Sequence, residues 1–312
     1  MLAIFESILP VFLLIVLGNL LRRSSLMGDT GWLGLEQLSY WVLYPVLLFN
    51  TVAAADFSNL SLDAMFAALL ASIFIMAGLV LATWPLWRGA AAATRAEFSS
   101  IFQGSLRWNG FVALAIAQKL YPQEASAVVA LVMAVIIIPI NIMSVSVVSR
   151  FGHGGANWRS VLIAMAKNPF IISVAAGILF RLIPGGVYGP VMQMLTLLGQ
   201  AAIGMGLISI GAGLRPADMY TLRPAIWFPV VAKLALMPVL VGGLALALGV
   251  TGPAVVYLVL CAAVPAAMNG YMLARQLGGD AEFYAAVATL QTILAVLTMP
   301  VALSLAAQFA SG

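Results

Sequence analysis

Charge is scarce in this sequence. Only 8% of the residues are Asp, Glu, Lys or Arg, where a soluble domain carries about 25%. Fourteen basic and ten acidic side chains cannot clothe a globule of 312 residues, of which 63% are hydrophobic. The uncovered surface needs an apolar solvent. That excludes a soluble enzyme, a secreted scaffold and a disordered chain. Cysteine is nearly absent too: Cys261 alone excludes a disulfide framework and a multi-cysteine metal site. His153 is the single histidine, which removes a His-cluster metal site. No HExxH, paired-aspartate or Ser–His arrangement is present, which argues against an intramembrane enzyme. Without a Walker A motif, ATP-driven transport would need a partner chain. The sequence calls for no cofactor and no nucleic-acid partner, and its net charge of +4 reports topology instead.

What is present is a series of long apolar runs. A bilayer core about 30 Å thick takes about 20 apolar residues per helix. Ten such spans are read at 3–21, 33–54, 63–87, 98–118, 125–149, 161–182, 190–213, 223–248, 252–276 and 282–308. No loop between them is long enough for a soluble domain, so residues 1–312 read as a single all-α polytopic membrane domain. The first span lacks a cationic leader and is followed at once by Arg22 and Arg23, so it reads as a retained helix and not a signal peptide. The odd-numbered connections hold Arg22, Arg23, Arg88, Arg95, Arg150, Arg159, Arg215, Arg223 and Arg275, while the even ones hold Lys119 and Arg181. Nine against two places the odd loops in the cytoplasm and both termini outside a multi-pass protein of the cell (inner or plasma) membrane.

The halves repeat. Pro10, Gly18 and Arg22 of the first span match Pro169, Gly177 and Arg181 of the sixth. Asn109-Gly110-Phe111 of the fourth matches Asn269-Gly270-Tyr271 of the ninth, and Pro139 matches Pro300; the offsets are 159, 160 and 161. Five spans per half require opposite orientations, so about 1–150 and about 160–312 read as inverted repeats. Secondary transporters are built this way, with the ligand near the midplane where helices are interrupted.

The binding residues follow from depth and chain chemistry. Arg107 lies twelve residues from both Arg95 and Lys119, about 18 Å from either end of a helix, too deep to snorkel. A cation at that depth lines a cavity or pairs with a partner. Pro265 and Gly270 in the ninth span, like Gly110 in the fourth, weaken the helix locally. Asn109 and Asn269 flank these breaks. Two half-helix N-termini beside a guanidinium favour an anion, and its planar fork suits a carboxylate. Arg107 and Asn109 stand about 200° apart on a continuous helix, so both reach one ligand only if the helix breaks. Candidate substrate-binding residues are thus Arg107, Asn109, Gly110, Asn269, Gly270 and Pro265. Lys233, Asn50, Asn141 and Gln291 are candidates for gating or coupling, against a structural role in helix packing. Lys167 is expected to snorkel, Glu36 to begin the second span, Cys261 to pack, and the glycines from Gly199 to Gly213 to permit close helix approach.

Leu9-Pro10-Val11-Phe12 through Gly18, the run from Leu38 to Phe49, Asn109-Gly110-Phe111 and Gly279-Asp280 resemble the auxin efflux carrier family across essentially the whole chain. The resemblance implies a sodium/proton-antiporter-like, bile-acid-transporter-like fold. Spans 1, 2, 6 and 7 would form a scaffold, and spans 3–5 and 8–10 a moving unit, with broken spans 4 and 9 crossing beside the substrate. It implies elevator-type movement and leaves room for a homodimer built through the scaffold. The family asparagine maps to Asn109 and the ninth-span proline to Pro265; the fourth-span proline has no counterpart, with Trp108 or Ser105 near its place. The expected function is secondary active transport of small organic anions, auxin-like or dicarboxylic. The alternatives are a cation/proton antiporter, for which spans 4, 5, 9 and 10 lack the buried carboxylate pair, and a channel or receptor.

Overall fold

The computed structural model describes residues 2–24, 26–58, 60–89, 93–152, 157–182, 188–216 and 223–310. His153, Gly154 and Gly155 lie outside these residues. Among the described residues the chain is helical, without strands. Six helical stretches are long and apolar enough to cross a membrane, led by α1 (Leu2–Arg23), α8 (Gln123–Phe151), α11 (Gly189–Gly213) and α16 (Ala281–Ala310). The other two are Leu62–Arg88, which joins α4 (Leu62–Ala82) to α5 (Trp84–Gly89), and Pro224–Ala247. Large apolar side chains point outward along them, including Leu13 and Leu20 of α1, Phe74 of α4, Leu197 of α11 and Leu297 of α16. A belt this apolar requires lipid around it.

The remaining stretches are interrupted, each for a local reason. The second runs as α2 (Asp29–Leu38), a π-helical turn (Ser39–Leu43) and α3 (Tyr44–Ala53). Pro45 follows that turn, and Pro238 follows a second π-helical turn (Ala232–Leu236) between α12 (Trp227–Val231) and α13 (Met237–Ala247). Proline lacks the N–H and crowds the preceding turn; one extra residue in the turn absorbs the mismatch. Glu36 sits in the last turn of α2, where Asp29 holds the first. This corrects the expectation that Glu36 opens the span. The stretch 161–182 is likewise two helices, α9 (Trp158–Ala166) and α10 (Pro169–Phe180). Lys167 is the exposed C-cap of α9, and the Asn168 side chain accepts from the N–H groups of Phe170 and Ile171 to start α10.

Two breaks lie deep in the bundle. The stretch 98–118 divides into α6 (Arg95–Leu106) and α7 (Gly110–Leu120), and the stretch 252–276 into α14 (Pro253–Ala263) and α15 (Asn269–Leu277). A Thr94–Glu97 capping box begins α6, and buried Glu97 also pairs with Arg223. The Gly279-Asp280 motif ties α16 to α6. Asp280 caps α16 through the Phe283 N–H at 2.8 Å, and its carbonyl accepts from the Ser100 hydroxyl at 2.6 Å.

Glycine sets the closest helix contacts. α1 packs on α11, where a Cβ on Gly18 would strike the Ile208 carbonyl and one on Gly211 the Ile15 carbonyl. α10 packs on α3 through Gly177, whose Cβ would meet the Phe49 carbonyl at 3.1 Å. Gly211→Val should cost about 1–3 kcal/mol or more by overpacking and lower the thermal unfolding midpoint in detergent. Gly204→Ala, whose Cβ meets nothing within 4 Å, should leave the midpoint unchanged or raise it slightly.

Candidate functional site at the crossing of two broken helices

The two breaks meet. The Asn109 N–H donates to the Pro265 carbonyl at 2.8 Å, joining the unwound strands directly. Gln291 of α16, fully buried, spans both breaks. Its carbonyl oxygen accepts from the Ala266 N–H at 2.9 Å, and its amide donates to the Gly104 and Pro229 carbonyls, each at 2.9 Å. The Tyr284 hydroxyl adds a 2.6 Å bond to the Ala267 carbonyl. These contacts answer a strict requirement, because backbone groups freed within lipid have no water to turn to.

Arg107 is the C-cap of α6, and only 5% of its surface is exposed. Its Nε donates to Gln103 Oε1 at 3.0 Å, one terminal nitrogen to Asn269 Oδ1 at 3.1 Å, and the other to Asn141 Oδ1 at 3.3 Å. All three acceptors are neutral. Among the described residues the ion pairs are Arg22–Asp29 and Arg223–Glu97, so Arg107 has no carboxylate. Three of its donors are engaged out of the five a guanidinium carries.

A cavity of about 90 Å³ opens at Arg107. Its lining mixes the polar Asn141 and Asn269 with apolar side chains such as Phe111, Met133, Ile137 and Phe170, and includes Trp108 and Cys261. Two further buried donors lack partners: Trp108 Nε1, of a residue that lines the cavity, and Gln103 Nε2, of the residue that holds the Arg107 Nε. Buried polar atoms are rarely left unsatisfied, so unpaired donors beside a cation without an acid give this region a surplus of donors. Asn109 directs its oxygen to the Val112 N–H at 3.4 Å and so caps α7. Gly110 lets Met133 lie against the break, and Gly270 lets the Tyr284 ring do so; a Cβ on either would collide with those side chains.

The candidate residues therefore separate. Arg107, Gly110, Asn141 and Asn269 line the cavity, while Asn109, Pro265, Gly270 and Gln291 hold its walls. Asn50 lies elsewhere, donating to the Leu195 carbonyl at 2.8 Å. It lines a vestibule of about 590 Å³ with Thr51, Gln118, Tyr121, Gln123, Ser126, Thr196 and Gln200. The Tyr44 ring, on the same helix as Leu47 and Asn50 of the vestibule, stacks at 3.6 Å between centroids on Phe111, which lines the cavity. Sequence reasoning missed Gln103, although its i,i+4 spacing from Arg107 on one helix face was a usable signal. It also missed Tyr44 and Phe170, which stand out from the apolar background only once packed.

The long apolar helices define a multi-pass membrane protein, and its similarity to known proteins points to a transporter and not an enzyme. Residues 156–303 match the family model described as Membrane transport protein. A protein of Rhizobium meliloti (strain 1021) named "Putative malonate transporter" is 27% identical over 304 residues, covering 94% of this chain and 92% of that protein. An "Uncharacterized transporter" of Methanothermobacter thermautotrophicus is 23% identical over 303 residues, covering 95% of this chain and 96% of that one. The resemblance to the auxin efflux carrier family read from the sequence is borne out.

Replacing Gln291 with Leu would leave the Ala266 N–H and the Gly104 and Pro229 carbonyls without that partner. At about 1–3 kcal/mol for each buried group left unpaired, Gln291→Leu should lower the thermal unfolding midpoint well beyond the change for an Asn50→Leu control.

Proposed function

We propose that this protein is a secondary active transporter of small organic anions, dicarboxylates of malonate size. The observation that carries the reading is Arg107: a buried guanidinium without an acid partner among the described residues, facing a cavity that Trp108 also lines. A carboxylate supplies the missing charge and accepts from the fork. Size favours a small acid. About 90 Å³ is far below the 300–1,000 Å³ of pockets for drug-sized ligands, which weighs against an indole acid. The relative from Rhizobium meliloti named for malonate points the same way.

The mechanism we propose is elevator-type alternating access between two inverted repeats of five spans, with spans 4 and 9 carrying the cavity. Repeat-related packing supports it. Gly18 seats α1 on α11 just as Gly177 seats α10 on α3. Asn109 precedes α7 as Asn269 opens α15. If both termini lie outside, the vestibule at the ends of α3, α7 and α10 faces the exterior, and the Tyr44–Phe111 stack links the helix of Leu47 and Asn50 to the lining of the cavity. Residues Leu47, Asn50 and Gly199 on the scaffold side face Gln118, Gln123 and Ser126 on the moving side across it. A dimer through the scaffold completes the proposal.

The test is thermal unfolding of purified protein with malonate, larger dicarboxylates and an indole acid, followed by uptake into proteoliposomes. Malonate should stabilise the wild type. Arg107→Met should weaken binding by about 2 kcal/mol or more, about thirtyfold in affinity. An unchanged malonate response in Arg107→Met would remove the site assignment.

A further inference from the structure

A second buried cation stands beside the crossing. Lys233 is fully buried, on the π-helical turn Ala232–Leu236. Its Nζ donates to the Ala262 carbonyl and lies 4.9 Å from the centroid of the Trp108 ring. Ala262 belongs to the last turn of α14, and Trp108 is the middle residue of the other break. One ammonium thus touches both broken helices. Neither ion pair among the described residues involves it. A half-helix C-terminus carries partial negative charge, and an indole face attracts a cation. Among the described residues no acid pairs with the ammonium.

In transporters with discontinuous helices, such C-terminal ends and unwound carbonyls are where a coupling Na⁺ or proton binds. Here the chain fills those positions itself. Ala262 O at the end of α14 accepts from Lys233. At the end of α6, Gly104 O accepts from Gln291 at 2.9 Å and Gln103 O from the Arg107 N–H at 2.9 Å. The extra residue of the π-helical turn widens it where Lys233 leaves the helix, the kind of local irregularity found at functional sites. We propose that Lys233 is a tethered stand-in for a coupling cation: it neutralises the α14 terminus permanently, and the carrier loads its anion without sodium.

The inference goes beyond the anion assignment and is tested partly without it. Purified protein is unfolded thermally in sodium chloride and in choline chloride with no malonate present, and malonate uptake is measured in the same two salts. For the wild type both readouts should be the same in the two salts. Lys233→Ala should lose uptake at least tenfold and regain part of it with ethylammonium, which should also raise its unfolding midpoint but not that of the wild type. Uptake by the wild type that requires sodium, or Lys233→Ala uptake equal to wild type, would overturn the proposal. The sodium comparison on the wild type decides even if Lys233→Ala fails to fold. A wild type that takes up no malonate defeats the anion reading alone, because the sodium comparison of unfolding midpoints still stands.

Discussion

A helix broken inside a bilayer must find a partner for every backbone group it frees, and the rest of this structure is arranged around that need. The breaks at 107–109 and 264–268 meet each other through Asn109 N–H and Pro265 C=O. What they cannot satisfy mutually falls to side chains. Gln291 serves Ala266, Gly104 and Pro229, Tyr284 serves Ala267, and Lys233 serves Ala262. Four chain segments thus converge on one point with few spare acceptors and several spare donors. The electrostatic character of the cavity follows from that imbalance.

Two cations share the crossing and do different work. Lys233 is spent on the protein, since its ammonium is held by a carbonyl and a ring and does not line the cavity at Arg107. Arg107 is held by amide oxygens that orient the guanidinium without neutralising it. Keeping a charge in that condition is costly in a low-dielectric interior, and a transport site is one place where the cost has a return: the ligand supplies the missing charge. The glycine contacts have a parallel logic. Gly18, Gly177 and Gly211 bring backbones together where apolar side chains would hold them apart, and in lipid such packing replaces the hydrophobic drive between helices.

Much of this was legible in the chain. Depth counted from Arg95 and Lys119 located Arg107 well inside the bundle, and Pro265 with the paired Asn-Gly steps located both breaks. Other features were not. Lys167-Asn168-Pro169 interrupts the sixth stretch, yet an apolar run reads the same whether its helix is continuous or divided. Glu36 was misplaced because a ten-residue prelude of mixed polarity, α2, was not recognised as already helical. Asn50, Asn141 and Gln291 looked alike as polar residues in apolar spans, although they stand in a vestibule, a cavity and a backbone clasp.

Composition and periodicity by themselves determined that the chain lives in lipid, that it is helical, and where a deep charge and the weak points of two helices fall. Those are properties of single segments, set by transfer energies and by the backbone chemistry of proline and glycine. Only the tertiary structure decided that the two weak points touch, that Arg107 finds amides instead of an acid, and that Lys233 closes the end of α14. These facts depend on residues brought together across different helices, from Lys233 and Ala262 at 29 positions to Arg107 and Asn269 at 162. Hydrogen bonding is short-ranged and directional, so nothing in the order of the chain announces which distant groups will come within 3 Å of one another.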